Sequence, residues 1–450
     1  MTYSRLLQRL GLLLMLLMPF VQTVRADDDD DFVLRVLPAN LNAVVNRYGL
    51  EVEESFPAQN LYLVEREDDD SDESTAQFVA RVRRDTRVLG FEINQDIESP
   101  EVTNPVPLPV GPGPAQQALS NRTTQSFYGS TVLSGYVQQP AASLVRLPQV
   151  RQLATGGGIV AIIDTGVDPN HPLLRGALLP GYDFLMNVAD ASEWVDVDST
   201  TSAILGQEAA LFLESLRATP LNPYATAILS QEAALFLEGK QMPAAFGHGT
   251  MVAGVVRLVA PTARILPLRA FSGTGASNLF DVMRAIYFAA DRGAKVINMS
   301  FTIEQPSDEF TRAINYASGR GSICVGAAGN AGRQTVVFPA GYHNVLGVAS
   351  TTSTDTRSAF SNFGAALVSL AAPGEGIITS YPGGGYVSVW GTSFSTPLVA
   401  GAIALMEQIR PGTTYSQAER SLQQARPLGP ELGAGRLDVF NAVSARMTLQ

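Results

Sequence analysis

The sequence predicts an α/β protein whose mostly parallel sheet is covered by helices on both faces, preceded by a small α+β module. Three observations lead there. Short apolar runs alternate with longer helical patterns through the later part of the chain, the acidic excess sits near the N-terminus, and a Pro/Gly/Ser-rich stretch separates the two. With 450 residues, 46% hydrophobic and only 16% charged, the chain can bury a large core, which excludes fibrous and generally disordered classes.

Taken in order, residues 1–26 carry Arg5 and Arg9, an apolar run over 10–21, and the small-residue pattern Val24-Arg25-Ala26. This predicts a signal peptide removed near Asp27, and hence a secreted or periplasmic protein. The run is too short to span a bilayer, and no later segment is longer, so no membrane span is expected after signal removal. Residues 27–101 hold 20 acidic and 7 basic side chains, and the remainder is nearly balanced. The acid runs at 27–31 and 67–73 read as solvated segments, and no basic stripe points to nucleic acid. The runs FVLRVL, LNAVVNRYG, NLYLVERE, AQFVARVRRD and LGFEINQDI predict a small α+β module over 27–97. Residues 98–142, which include PVPLPVGPGPAQQ, read as a linker.

The remaining region, 143–450, contains IVAIID, ARILPLRAF, AKVINMSF and SICVGAAG, each short enough to be a buried parallel strand. Ser277 or Asn278 can cap the helix LFDVMRAIYFAADR, which Gly293 ends. Pro397 is expected near a helix start before LVAGAIALMEQI. An insertion is expected at about 186–245, because AILGQEAALFLE at 203–214 recurs as AILSQEAALFLE at 227–238. Two copies do not make a solenoid, so two amphipathic surface helices are the expectation. Cys324, the only cysteine, falls in an apolar run and reads as a small buried hydrophobe.

Peptide hydrolysis by serine needs a nucleophile, a base, an acid that orients the base, and donors for the oxyanion. Asp164 ends an apolar strand in AIIDTGVD, His248 opens a helix in FGHGTMVAG, Ser393 opens another in GTSFSTPLVAG, and Asn330 closes a strand in AAGN. Strand ends and the helix starts that follow them are where open α/β sheets place their sites. Taken singly, each residue is as readily a cap or a turn. His171 and His343 lack metal-ligand spacing. The glycines of GGGIVAIID precede their strand, unlike a dinucleotide fingerprint. Asn121-Arg122-Thr123 fits a glycosylation sequon.

Together, and in this order, DTGVD, GHGT, INMS, AAGN and GTSFSTP resemble the subtilisin-like serine protease family over roughly residues 143–443. The resemblance implies a serine endopeptidase working through an acyl-enzyme. Ser393 would be the nucleophile, His248 the base, Asp164 its partner, and Asn330 an oxyanion donor beside the Ser393 N–H. It further implies that an extended protein or peptide substrate is held between Ser272, Gly273, Thr274 and Gly275 on one side and Ser300, Phe301 and Thr302 on the other, with Gly329 nearby. Gly391 would let the substrate backbone approach, while Gly247 and Gly249 would leave room around the imidazole. The module at 27–97 looks like the family's inhibitory propeptide, an intramolecular partner; a permanent accessory domain is the alternative.

Several positions depart from the family pattern. Met251 stands where a second His is usual, Phe301-Thr302 replaces Leu-Gly, and Phe394-Ser395 replaces Met-Ala. No organic cofactor is implied. Calcium is common in the family, but its usual high-affinity site is expected to be absent. Leu173 occupies the position of a ligating Asp, and GVVRLVAP runs directly into TARILPLRAF without the ligand loop. Asp190, Glu193, Asp196 and Asp198 cluster before the duplication and read either as solvated acids or as a different ion site. A catalytically idle peptide-binding scaffold and a non-peptide esterase remain the rival functions.

Overall fold

Residues 31–67, 73–100, 114–197 and 243–448 are described by the computed structural model, and they divide between a unit ending at Asn94 and a second beginning at Gln95. In the first unit, short apolar runs build β1 (Asp31–Val36), β2 (Leu50–Phe56), β3 (Leu61–Arg66) and β4 (Val88–Ile93), with α1 (Leu41–Tyr48) and α2 (Thr75–Val82) between them. The strands form an antiparallel sheet in the order β2-β3-β1-β4. Its core is aromatic: Phe32 stacks on Phe91 with ring centroids 4.8 Å apart and tilts against Phe78 at 5.4 Å. Ser74 and Gln77 close a capping box at the start of α2.

The second unit opens with β5 (Asp96–Glu98), α3 (Pro114–Ser120), β6 (Thr124–Phe127), β7 (Ser130–Leu133), α4 (Ser134–Gln138), α5 (Pro140–Leu144) and α6 (Leu147–Val150). The linker expected over 98–142 is therefore a folded part of this unit from Pro114 onward. Composition misleads here because a few side chains suffice: Phe127, Val132 and Tyr136 join the main core, and the Tyr136 hydroxyl donates to the Gly254 carbonyl at 2.8 Å. Gln139, fully buried, donates to the carbonyls of Tyr136 and Ile378 and accepts the Ile378 N–H. The expected boundary at residue 97 also moves, since β5 pairs with a strand of the second unit.

The main sheet contains β8 (Ile159–Asp164), β9 (Tyr182–Asp183), β10 (Arg264–Arg269), β12 (Val296–Met299), β13 (Ile323–Ala327), β14 (Val345–Thr351) and β15 (Leu370–Pro373). All neighbours are parallel, in the order β15-β14-β13-β12-β8-β10-β9. The chain winds from β8 toward β10 and then crosses to β12, so the crevice beyond the carboxyl end of β8 is a topological switch point. The helices α7 (His248–Val259), α10 (Thr392–Ile409) and α12 (Val439–Thr448) pack together on one face; α8 (Leu279–Asp291) and α9 (Asp308–Gly319) pack on the other. Outside these layers lie β11 (Ala276–Asn278), the antiparallel pair β16 (Ile377–Tyr381) and β17 (Gly385–Val389), and α11 (Tyr415–Leu422).

Asn278, not Ser277, caps α8, accepting the Asp281 N–H. Cys324 is buried in β13, where desolvation pushes its thiol up to about 12. The signal segment at 1–26 and the repeats at 203–214 and 227–238 lie outside the described residues. Among the described residues, no helix is long and apolar enough to cross a membrane.

Candidate active site

Asp164 is the last residue of β8, and its backbone carbonyl accepts the N–H groups of Ala270 and Phe271, which tie the end of β8 to the segment after β10. Its carboxylate Oδ1 accepts from Thr165 N at 2.8 Å and lies 2.7 Å from His248 Nδ1. Both side chains are at most 4% exposed, so water does not compete for this bond. A carboxylate oxygen accepts, so the bond calls for a proton on Nδ1 and leaves Nε2 as the ring nitrogen outside this contact.

His248 begins α7, and Gly249 follows it. A Cβ at Gly249 would collide with the Gly166 carbonyl oxygen, so this glycine serves close approach of the Asp164 loop and the His248 helix rather than space around the imidazole. The same approach is stitched by Gly249 N donating to Thr165 Oγ1 at 3.0 Å and Asp168 N donating to Thr250 Oγ1 at 2.7 Å.

Ser393 is the second residue of α10, so its N–H belongs to the first helical turn, whose donors have no intrahelical acceptor. The helix starts at Thr392, five residues before Pro397, which therefore lies inside it rather than at its start. Pro397 has no N–H for the carbonyl of Ser393 four residues back. Ser300 Oγ supplies the missing donor at 2.9 Å, and Asn298 Nδ2 donates to Ser300 Oγ in turn. The Ser393 hydroxyl donates to the Ser300 carbonyl at 3.1 Å. Gly391 precedes the helix at φ 147°, a conformation closed to most L residues; backbone geometry accounts for this glycine. Asn330 Oδ1 accepts from both N and Oγ1 of Thr392 at 3.0 and 2.9 Å, which fixes the amide with Nδ2 as its donor end.

The expected substrate-side residues separate into two groups. Ser272, Gly273 and Thr274 form a turn closed by Gly275 N donating to the Ser272 carbonyl. The pairing edge is instead Gly275 together with β11: β5 pairs antiparallel with β11, with Ile97 opposite Ser277, and Ser99 N donates to the Gly275 carbonyl at 2.9 Å. Ala276, Ser277 and Asn278 were missed because a three-residue edge has no side-chain signature. On the other side Glu98 bridges Thr302. Phe301 is buried against Phe271 with ring centroids 5.1 Å apart, so only its backbone is available there. Thr302, Gly329 and Asn330 border a cavity of about 630 Å³ that Glu304, Arg333 and Val337 also line. Ser99, Asp164, His248 and Ser300 share a small pocket beside it.

Residues 155–428 match the profile described as the subtilase family. The chain is a subtilase. It is 34% identical over 312 residues to thermitase of Thermoactinomyces vulgaris, an alignment covering 66% of this chain and 93% of thermitase. It is 34% identical over 292 residues to a thermophilic serine proteinase of Bacillus sp. (strain AK1), covering 64% of this chain and 62% of that protein. Among solved structures, fervidolysin from Fervidobacterium pennivorans, described as a keratinolytic enzyme related to subtilisin, superposes with a TM-score of 0.65 at 21% identity over 92% of this chain and 61% of its own. The epidermin leader peptide processing serine protease of Staphylococcus aureus gives 0.63 at 21% identity, over 92% and 97%. Subtilases are serine-type endopeptidases, and this chain is one by membership.

Elsewhere in this subtilase, His171 is buried, with Nε2 3.0 Å from the Gly385 carbonyl and Nδ1 accepting the Leu173 N–H, and desolvation lowers its pKa. Among the described residues, the acids of the cluster do not converge. Asp190 Oδ1 accepts the N–H groups of Ala191 and Ser192, and Asp196 pairs with Arg269 at 2.6 Å. Asp198 lies outside the described residues. Glu193 is neither solvated nor grouped with the other acids: it is fully buried and receives the Thr250 hydroxyl. Nothing local in the sequence marks it. Leu173 is likewise fully buried, and α7 reaches β10 through a short turn.

Proposed function

We propose that this chain is an exported endopeptidase with Asp164, His248 and Ser393 as its triad. The observation that carries the reading is the buried 2.7 Å contact between Asp164 Oδ1 and His248 Nδ1, which leaves Nε2 as the imidazole's basic atom. On substrate binding the Ser393 hydroxyl turns from the Ser300 carbonyl to His248, a rearrangement common where catalytic bonds tighten only in the complex. Ser393 Oγ then attacks the peptide carbonyl as His248 takes its proton. Asn330 Nδ2 and the Ser393 N–H receive the oxyanion. Collapse expels the amine, protonated by His248, and leaves an acyl-enzyme that water hydrolyses with the same base.

A protein or peptide substrate lies extended between Gly275 with β11 and the segment Ser300 to Thr302, as an added strand. The chain's own residues 96–99 already follow that path, which supports the strand-addition mode and a role for the module at 27–97 as an inhibitory propeptide. Ser272, Gly273 and Thr274 shape the turn that presents the edge. Gly329 and Thr302 border the cavity for the side chain preceding the scissile bond. Export follows from the charged and apolar pattern of residues 1–26, placing the mature enzyme outside the cytoplasm in a periplasm or the medium. The chemistry calls for no organic cofactor, and buried Leu173 removes a ligand of the usual calcium site.

Labelling with a fluorophosphonate probe, followed by digestion of casein, tests the function. An active peptidase is labelled at Ser393 and degrades casein. Absence of labelling in the processed protein identifies an idle scaffold, whereas labelling with ester but no casein hydrolysis identifies an esterase.

A further inference from the structure

Glu193 lies at the start of a 3-10 turn, Glu193–Asp196, that Ser192 caps by accepting the Trp194 N–H. Its side chain has no solvent exposure. Oε1 receives the Thr250 hydroxyl, and Oε2 is buried without a hydrogen-bond partner. Thr250 is two residues beyond His248, and its Oγ1 also accepts the N–H of Asp168, four residues beyond Asp164. The backbone beside Glu193 is equally close to this junction: Val167 N donates to the Ala191 carbonyl at 2.8 Å, and a Cβ at Gly166 would lie 2.9 Å from Glu193 N. Segment 191–193 therefore packs on the contact between the Asp164 loop and the His248 helix.

We propose that Glu193 is a positioning residue for the catalytic pair, acting through Thr250 to hold the His248 helix against the Asp164 loop. The inference rests on the triad reading above. The groups facing Glu193 explain its chemistry. Asp164 approaches from the end of β8, Asp168 from the loop that follows it, and Tyr381 from β16. Thr250 approaches from α7, and Arg269 on β10 is already engaged by Asp183 and Asp196. Among the described residues no cation pairs with Glu193, and desolvation, reinforced by Asp168 and Asp164, raises its pKa well above the ordinary carboxylate value.

The test compares Glu193→Gln, Glu193→Ala and Thr250→Val in the mature enzyme. Because Gln is a neutral near-isostere that can still accept from Thr250, Glu193→Gln should keep kcat and KM within about twofold. Glu193→Ala should lower kcat roughly tenfold to hundredfold with KM little changed, as expected when a small misplacement affects the reacting groups. It should also shift the acid limb of the kcat/KM pH profile, which reports the imidazole, and Thr250→Val should move that limb in the same direction. A merely structural residue would lower thermal stability in Glu193→Ala while leaving kcat per active site and the acid limb unchanged, and that result overturns the inference. So does a Glu193→Gln variant as impaired as the alanine variant. If Glu193→Ala does not fold, the Glu193→Gln and Thr250→Val pair decides in the same way. Titration with the fluorophosphonate probe separates the two failures: unlabelled wild type refutes the triad itself, whereas labelled wild type with unaffected variants refutes only the role of Glu193.

Discussion

The two components of the proposed cleft are built differently. The end formed by Asp164, His248, Asn330 and Ser393 depends on particular side chains, each fixed by a hydrogen bond to a neighbouring loop or helix. The flanking edges, Gly275 to Asn278 and Ser300 to Thr302, offer backbone: Phe301 turns its ring inward, and Ser277 meets Ile97 as a strand partner. Side-chain substitutions should therefore be severe at the first and mild at the second, whereas backbone substitutions should reverse that order.

The largest expected effect is at the nucleophile. Ser393→Ala should lose about 10⁶ in turnover, the scale for removing the nucleophile from a cooperative triad, while remaining folded and accumulating as an unprocessed precursor. Turnover near wild type in the purified variant would reject the assignment. Asn330→Ala should lose less, roughly 10² to 10³ in kcat, because the Ser393 N–H remains as a donor. A normal kcat would exclude Asn330 from the oxyanion site.

The edges provide the contrasting measurement. Ser99 N donates to the Gly275 carbonyl, so antiparallel alternation makes Ser277 and Ile97 the next hydrogen-bonded pair. Ser277→Ala should leave KM for a long peptide unchanged, while Ser277→Pro, which removes the donor, should raise KM roughly fivefold to tenfold, the scale of one hydrogen bond of about 1 kcal/mol. Equal effects of the two substitutions would show that the side chain, not the edge, binds substrate.

The smallest effect concerns pH. Glu193 has its folded pKa raised well above the ordinary carboxylate value, chiefly by burial, so its contribution to stability is complete below that ordinary value and declines as pH rises toward the folded one. The inhibited wild type should thus lose more thermal stability than inhibited Glu193→Gln on passing from acidic to alkaline pH. Parallel curves would mean that Glu193 titrates alike in the folded and unfolded chain.

The side-chain component was legible in the sequence because DTGVD, GHGT, AAGN and GTSFSTP are contiguous segments, each joining a strand end or helix start to a residue of the proposed site. The parallel sheet was legible for a similar reason, since its buried strands are short uninterrupted apolar runs. Residues 114–142 were misread because composition counts polar residues without knowing that Phe127, Val132 and Tyr136 find a core prepared by distant strands.

By itself, then, the sequence determined the order of strands and helices and the choice of candidate side chains for the site, since both are written in local periodicity and short motifs. Only the tertiary structure decided that Ser300 Oγ satisfies the carbonyl left without a donor by Pro397, that β11 rather than residues 272–274 forms the pairing edge, and that Glu193 is buried against Thr250. Each of these joins residues far apart in the chain through one hydrogen bond or one register. Such contacts leave no period or spacing in the sequence, because their partners are chosen by how the helices and loops close around the finished sheet.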